Sequence, residues 1–465
     1  MSQKALRVDS RWLADRRLLY ALIALITMTA GVLRFYKLGA WSFWGDEMLT
    51  VLDVPDGFNF SWIRQSLAIS LIQVAINTLG ISEWSARLVP ALIGVISAPL
   101  LYVPTRRIFG APVALVAILF LAVSPWHLYW SQNARFYTLL LLFYTLALLT
   151  FYIGLEEDRP LYLVASLIFL GLAARERLVA LAFLPVILSY LGLLFVLPLG
   201  RPRGLRWRNV AIFAVPMALG VLFFAGPYLA SLSGWMAGFG RVNNNPFWLL
   251  AGFVYYIGVG TACIAFVGAI SLLLRQDRAG LLLGLNTALP ILMLMGISLF
   301  HYTANRYAFI SLYSVLLLAA SAVVALVQAM PKSTRILAVM VLIYLLVDPL
   351  SQNLLYFRYQ NGNRDDWRAA AATVQQYKHE GDLIFTAHPE LTSYYLGEPT
   401  QALHKLDLDN LQNQAQRVWL IEDMNVAEVY PHIADWLQSQ PQLISVHDVN
   451  VQARNFKLRV YLYEP

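Results

Sequence analysis

Apolar runs long enough to cross a lipid bilayer dominate this chain. A hydrocarbon core about 30 Å thick takes about 20 residues of helix. Eleven stretches are of that scale: 18–36, 86–104, 110–128, 136–155, 160–175, 178–198, 209–229, 248–274, 280–300, 306–329 and 334–349. Backbone in lipid must satisfy its own hydrogen bonds, so such runs fold as helices. Composition agrees: of 465 residues, 59% are hydrophobic and 13% charged, against about one quarter charged in soluble domains. The expected fold is an all-α polytopic membrane domain of about eleven transmembrane helices over residues 1–347, with a small soluble α/β domain at the C-terminus, residues 348–465. The single cysteine, Cys263, lies in an apolar run and is expected to be buried. No small-residue cleavage site follows the first run, which is expected to stay as a helix.

The character of the chain changes from Asp348 onward. "DDWRAAAATVQQYKHEG" opens on aspartates suited to capping and closes on Gly381, the signature of a helix. "DLIFTA" and "RVWLIED" read as strands, "NVAEVYPHIADWLQSQP" as a helix that Pro431 interrupts near its start, and "QLISVHDV" with "NFKLRVYLYEP" as a strand pair. Five of the seven histidines lie here, at 379, 388, 404, 432 and 447. None has a metal-ligand spacing, and they read as solvated surface residues.

The formal charge of +7 belongs to the membrane part; the segment after it is net acidic. Topology explains that excess, and no nucleic-acid partner is implied. Lys and Arg mark the cytoplasmic side of short loops. "TRRIFG", "RPRGLRWR", "RQDR" and "PKSTR", with the basic N-terminus and the more acidic "EEDRP", fall on one side of an eleven-span chain. That side is assigned to the cytoplasm of a multi-pass protein of the cytoplasmic membrane. The opposite, outer side then holds the long loop 37–85 and the C-terminal domain. Residues 60–84 of that loop carry apolar positions at helical spacing and read as one or two helices in the interface.

Isolated cations on the outer side run against this rule: Arg34, Lys37, Arg64, Arg87, Arg135, Arg175, Arg177, Arg241 and Arg306. Ionisable groups near membrane depth are costly and mark functional cavities. For Arg34 and Lys37 the leading alternative is a side chain that snorkels to lipid phosphates. Acids are scarcer. Asp46 and Glu47, in "WSFWGDEMLT", follow the first run among Trp41, Phe43 and Trp44. A carboxylate in partly apolar surroundings can act as a base near neutral pH, and its neighbour can orient it or hold a metal. A solvated interfacial turn with an aromatic belt is the alternative. "WSQNARFY" supplies Asn133, Arg135 and Tyr137, "HYTANRY" supplies His301, Tyr302, Arg306 and Tyr307, and "SEWSARL" supplies Arg87. A guanidinium grips phosphate by two bonds, so this collection suits an anionic, membrane-borne substrate with a hydroxyl or amine acceptor. "AARERL" places Arg175 and Arg177 around Glu176, read as a structural cluster, with phosphate binding by the two arginines as the alternative.

In their order along the chain these motifs resemble the GT-C glycosyltransferases, and within them the bacterial relatives of protein O-mannosyltransferases and of the lipid A aminoarabinose transferase (families 39 and 83). The resemblance runs through the acid pair after the first helix, "ISEWSARLVPALIGVISAPLLYVPTRRIFG", "VSPWHLYWSQNARFYTLLLLF", "NRYAFISLYSVLLLAAS" and "DDWRAAAATVQQYKHEGDLIF". It implies an inverting transfer of a sugar from a polyprenyl-phosphate donor to a lipid, glycan or protein acceptor on the outer side of the membrane. It implies Asp46 as the base, Glu47 as its support or a metal ligand, and Arg135 and Arg306 on the lipid phosphate with Tyr137 and Tyr307 nearby. A divalent metal on Asp46 and Glu47 is the one cofactor considered. Where relatives carry His-Pro-Pro, this chain reads "SLAISLIQVAINTLG"; where they carry His-Tyr, it reads "AARERLVA". A transporter or flippase for a lipid-linked glycan, and a structural subunit of an envelope assembly, are the competing readings.

Overall fold

The computed structural model describes residues 15–52, 66–239, 245–301, 303–408, 417–451 and 456–464. Every one of the eleven apolar runs coincides with helix, but fewer are spans. Among the described residues seven helices are long and apolar enough to cross a membrane: Arg16–Phe35, Glu83–Phe109, Tyr137–Glu156, Leu178–Val196, Arg278–Ser298, Asn305–Ala329 and Arg335–Arg358. Two bent pairs raise the number to at most nine: Ala111–Val123 with Pro125–Ser131, and Pro246–Ile257 with Val259–Leu274. The two remaining runs are the 17-residue helix Pro160–Glu176 and the 33-residue helix Trp207–Phe239. The described residues thus give seven to nine apolar spans where about eleven were expected. A hydropathy window measures composition and does not register a sharp bend.

Local chemistry causes both bends. Pro125 lacks an amide hydrogen and disfavours helix at the residue before it. Ser124 accordingly leaves the first helix and caps the second, accepting from the His127 amide, at a bend of 59°. Gly258, at φ 90°, takes a conformation that glycine adopts without strain, and the chain turns there by 97°. A Cβ at Gly258 would fall 2.4 Å from Asp348 Oδ2. Its absence lets that carboxylate approach the amino end of the Val259–Leu274 helix, where the helix dipole favours negative charge.

The break at Ser124 exposes the last carbonyls of Ala111–Val123, and Arg34 answers them. Arg34 is fully buried. It donates to the carbonyls of Leu121 at 3.1 Å, Ala122 at 2.8 Å and Ala30 at 3.1 Å, and meets His127 Nδ1 at 2.7 Å. Gln132 donates in return to the carbonyls of Leu33, Arg34 and Tyr36. Gly94 keeps the space open: a Cβ there would come within 2.9 Å of Arg34 Nε. Arg34 therefore closes a helix end within the protein and does not snorkel.

Division of the chain by compactness gives two units. One holds the described residues of Met1–Tyr36, Pro55–Ala75 and Arg87–Ser351; the other holds those of Lys37–Val54, Ile76–Ala86 and Gln352–Pro465. In the first unit Tyr137–Glu156 is the central element, buried along nearly its whole length. Tyr144 donates to Asn286 Oδ1 at 2.6 Å, and Asn286 donates to Ser314 Oγ at 2.8 Å, tying three spans by buried hydrogen bonds. Four of the loops expected on one side meet one another. Glu156 pairs with Arg278, Glu157 with Arg107, and Asp158 with Arg206 and Asn209. The acids of "EEDRP" thus collect cations from three other loops. Residues 67–79 form one helix. Its amino end is held by Glu176, which accepts from Ser66 Oγ at 2.5 Å, the Leu67 amide at 3.0 Å and the Ala68 amide at 3.3 Å. Cys263, expected inside, is exposed; apolar residues on the outside of such a bundle meet lipid.

The second unit carries a five-stranded sheet: β1 Leu383–Thr386, β2 Gln401–Ala402, β3 Val418–Glu422, β4 Gln442–Val449 and β5 Phe456–Tyr463, in the order β2-β1-β3-β5-β4. β1 is parallel to β2 and β3, while β5 runs antiparallel to β3 and β4. Trp367–Tyr377 is helical from its Asp366 cap, and Pro431 opens a helix, Pro431–Ser439, that follows Val426–Val429. One face of the sheet buries Phe385, Val418, Leu420 and Tyr461 against Ile433 and Leu437.

Replacing Arg34 by Ala leaves buried carbonyls without donors, at about 1–3 kcal/mol for each such group. Arg34→Ala is expected to lower the thermal unfolding midpoint of the detergent-solubilised protein markedly. An unchanged midpoint would remove the capping role.

Candidate active site

Asp46 and Glu47 sit on the short helix Gly45–Val51, and burial separates their roles. Glu47 is fully buried and meets Arg364 Nη1 at 3.3 Å, with the arginine side chain 1% exposed. Arg364 in turn donates from Nε to the Gly362 carbonyl at 3.2 Å. The turn that delivers this arginine is tight, with Asn361, Gly362 and Asn363 all at positive φ. A Cβ on Gly362 would lie 2.6 Å from the Trp41 ring, which needs that approach. Asp46, by contrast, is half-buried. One acid is thus neutralised inside the fold and its neighbour is left at the surface of the unit.

The aromatic residues around the pair form no interfacial belt. Trp41 packs on Tyr356 and Phe357, and Phe43 on Tyr394. Lys37 donates to the Phe357 carbonyl at 3.0 Å and lies over the Trp41 ring, so it does not snorkel either. Ser42 Oγ donates to the Asp365 carbonyl at 2.7 Å and accepts from the Trp367 amide at 3.2 Å. Tyr395 accepts from the Phe43 amide at 2.6 Å and donates to Glu83 at 2.7 Å, which also pairs with Arg368. These bonds fix the segment that leads into Asp46.

A second group is built within the first unit. Arg135 and Arg177 flank the Phe136 ring, at 5.1 Å and 5.4 Å from its centroid. Arg306 lies over Tyr307 at 5.7 Å. Arg135, Arg177 and Arg306, with Tyr307, all act electrostatically on the Tyr137 hydroxyl. Tyr137 and Phe309 enclose Trp130, with the Trp130 and Tyr137 rings 3.9 Å apart. Residues 305–311 form a 3-10 helix. Asn305 fits where a Cβ on Gly252 would fall 2.0 Å from its Nδ2. Arg177, read from the sequence as part of a structural cluster with Glu176, belongs here instead, since Glu176 is committed to the 67–79 helix.

Of the other candidates, Arg87 and Asn133 are fully buried, and His301 is half-buried. Tyr302 lies outside the described residues, as do Arg64 and Arg241. A metal on the acid pair fits poorly. Glu47 faces a guanidinium, and among the described residues no group of three or more His, Cys, Asp and Glu side chains could hold a metal ion.

Sequence reasoning missed Arg364, His388 and Asp423. His388 is no free surface histidine: its Nε2 meets Asp423 Oδ2 at 3.3 Å and its ring stands edge-on to Trp367. Burial opposes its charged form, but the hydrogen bond and charge of Asp423, with Asp365 and Glu390, outweigh that and raise its pKa above the ordinary value. Burial likewise opposes the charge of Asp423, yet His388 and the Asn425 hydrogen bonds hold its carboxyl below the usual range. One signal was legible: "TAHPE" places the histidine just past an apolar strand of an α/β domain, where ligands collect. Arg364, in "NGNRDDW", offered none.

Residues 65–229 match the family described as dolichyl-phosphate-mannose-protein mannosyltransferase. No curated protein sequence matches the chain. Among solved structures, ArnT from Cupriavidus metallidurans in the apo state is similar at 15% identity over 95% of this chain and 98% of that one, with a TM-score of 0.59. The same protein bound to undecaprenyl phosphate gives 16% identity, 97% and 98% coverage and a TM-score of 0.57. The archaeal oligosaccharyltransferase AglB from Archaeoglobus fulgidus, in complex with an inhibitory peptide and a dolichol-phosphate, gives 12% identity, 90% and 70% coverage and 0.54. The chain thus has the fold of ArnT over nearly its whole length, and its residues 65–229 are similar to the dolichyl-phosphate-mannose-protein mannosyltransferase family.

Proposed function

We propose that this protein is an inverting glycosyltransferase. It moves a sugar from a polyprenyl-phosphate donor to an acceptor hydroxyl or amine on the outer side of the cytoplasmic membrane. The observation that carries the reading is the unequal burial of the acid pair. Glu47 is fully buried against Arg364, whereas Asp46 is half-buried and is the acid of the pair that a substrate can reach. The acceptor attacks the anomeric carbon, its proton passes to Asp46, and the bond to the lipid phosphate breaks. Arg135, Arg177 and Arg306 are the cations of the first unit that suit a lipid phosphate, because fixed cations stabilise the charge of a departing phosphate. Binding of undecaprenyl phosphate by ArnT and of dolichol-phosphate by AglB supports a lipid-linked donor. The basic loops that meet one another support a cytoplasmic assignment for their side and an outer position for the reaction.

The test incubates purified protein with a panel of polyprenyl-phosphate sugars and a total envelope extract as acceptor source, and measures released polyprenyl phosphate. Asp46→Asn should lower release by about 100-fold or more while polyprenyl phosphate still binds. Transport of a lipid-linked glycan that survives Asp46→Asn would favour a carrier.

The neighbouring acid should behave differently. Glu47→Gln leaves Arg364 buried without its anion, a change that costs about 3–5 kcal/mol. It should therefore lower the thermal midpoint, whereas Asp46→Asn should not. Replacing Arg135, Arg177 or Arg306 by Ala should each weaken polyprenyl phosphate binding by about 10-fold, read by direct titration. Equal binding by all three variants would sink their phosphate role.

A further inference from the structure

The sheet of the second unit has one place where its connections part. From β1 the chain runs to β2, on one side; from β3 it runs to β4 and β5, on the other. In open α/β sheets ligands collect beyond the carboxyl ends of strands at such a point. The residues there are His388, two positions past β1, and Asp423, next after β3; the Ala387 amide bonds the Ile421 carbonyl at 3.2 Å and brings both to the strand ends.

Three details distinguish this pair from an ordinary surface contact. Asp423 is 4% exposed and immobilised, accepting from the Asn425 amide at 3.0 Å and from Asn425 Nδ2 at 2.7 Å. It holds His388 by Nε2, and Trp367 braces the ring. Nδ1 has no hydrogen-bond partner among the described residues, and the histidine side chain is 41% exposed. That open edge faces the acid pair's own helix. A Cβ on Gly45 would lie 3.2 Å from His388 Cε1 and 3.4 Å from Nδ1, and Gly45 immediately precedes Asp46. Nε2–H is committed to the buried carboxylate, so Nδ1 donates to a ligand as the imidazolium, the form that Asp423 stabilises.

We propose that His388 and Asp423 form an acceptor-binding subsite beside Asp46, in which His388 donates a hydrogen bond from Nδ1 to an oxygen of the acceptor. This rests on the glycosyltransferase reading and extends it to the recognition of the acceptor. The acceptor is thus of a class that carries an oxygen at or next to the reacting group.

The experiment uses the full chain in detergent, the labelled polyprenyl-phosphate sugar found active in the panel, and the envelope extract at graded concentrations. His388→Ala should raise the extract concentration needed for half-maximal release by about 10-fold or more, the loss of one charge-assisted hydrogen bond. Affinity for polyprenyl phosphate should stay as in the wild type. His388→Gln, which keeps a donor, should recover part of the loss, and Asp423→Asn, which frees the ring, should reproduce part of it. An unchanged half-maximal concentration in His388→Ala overturns the subsite. So does an equal loss of donor affinity, or a His388→Gln variant with a normal midpoint that recovers nothing. A wild-type chain that releases no polyprenyl phosphate with any donor overturns the glycosyltransferase reading and the subsite with it.

Discussion

Backbone groups at membrane depth must find their partners inside the protein, and the rest of this structure follows from how that demand is met. Straight helices meet it internally. Each departure from a straight helix needs a polar residue brought from elsewhere. Pro125 breaks one run, and Arg34 supplies donors to the carbonyls before the join, while Gln132 does the same for the end of the Arg16–Phe35 helix. Gly258 breaks another, and the Asp348 carboxylate approaches the freed amino end. The 67–79 helix begins on Glu176. Several ionisable residues that look functional because they are out of place in an apolar chain are therefore helix caps.

Removing these residues from the list of candidates sharpens what remains. Arg135, Arg177 and Arg306 are tied to aromatic rings around Tyr137. Rings position a guanidinium by cation–π attraction. In the second unit the logic is reversed. Glu47 is neutralised by Arg364, and the bonds of Ser42 and Tyr395 fix the segment around Asp46. A buried ion pair is weak evidence for stability and better understood as fixing one arrangement; here it fixes the helix that presents Asp46.

Much of the fold was legible. The apolar runs, the helix from Asp366, and the pairing of "QLISVHDV" with "NFKLRVYLYEP" follow from local period and capping residues. The bends at Ser124 and Gly258 were not legible, because they do not alter mean hydropathy. The acids of the candidate site, with Arg135 and Arg306, stand out in the sequence by charge. Arg177 was read first with its neighbour Glu176, whereas the fold sets it beside Phe136. His388 was set aside with the other histidines because its partner, Asp423, is remote in the chain.

The sequence by itself determined that this is a multi-helix membrane protein with a C-terminal α/β segment, because hydropathy and periodicity are properties of consecutive residues. Only the tertiary structure decided which charges are caps and which are left for chemistry. A charge's environment is set by residues far along the chain: Leu121 and Ala122 for Arg34, Arg364 for Glu47, Gly45 and Asp423 for His388. Burial and pairing, which fix what a carboxylate or guanidinium can do, exist only once those distant segments have met.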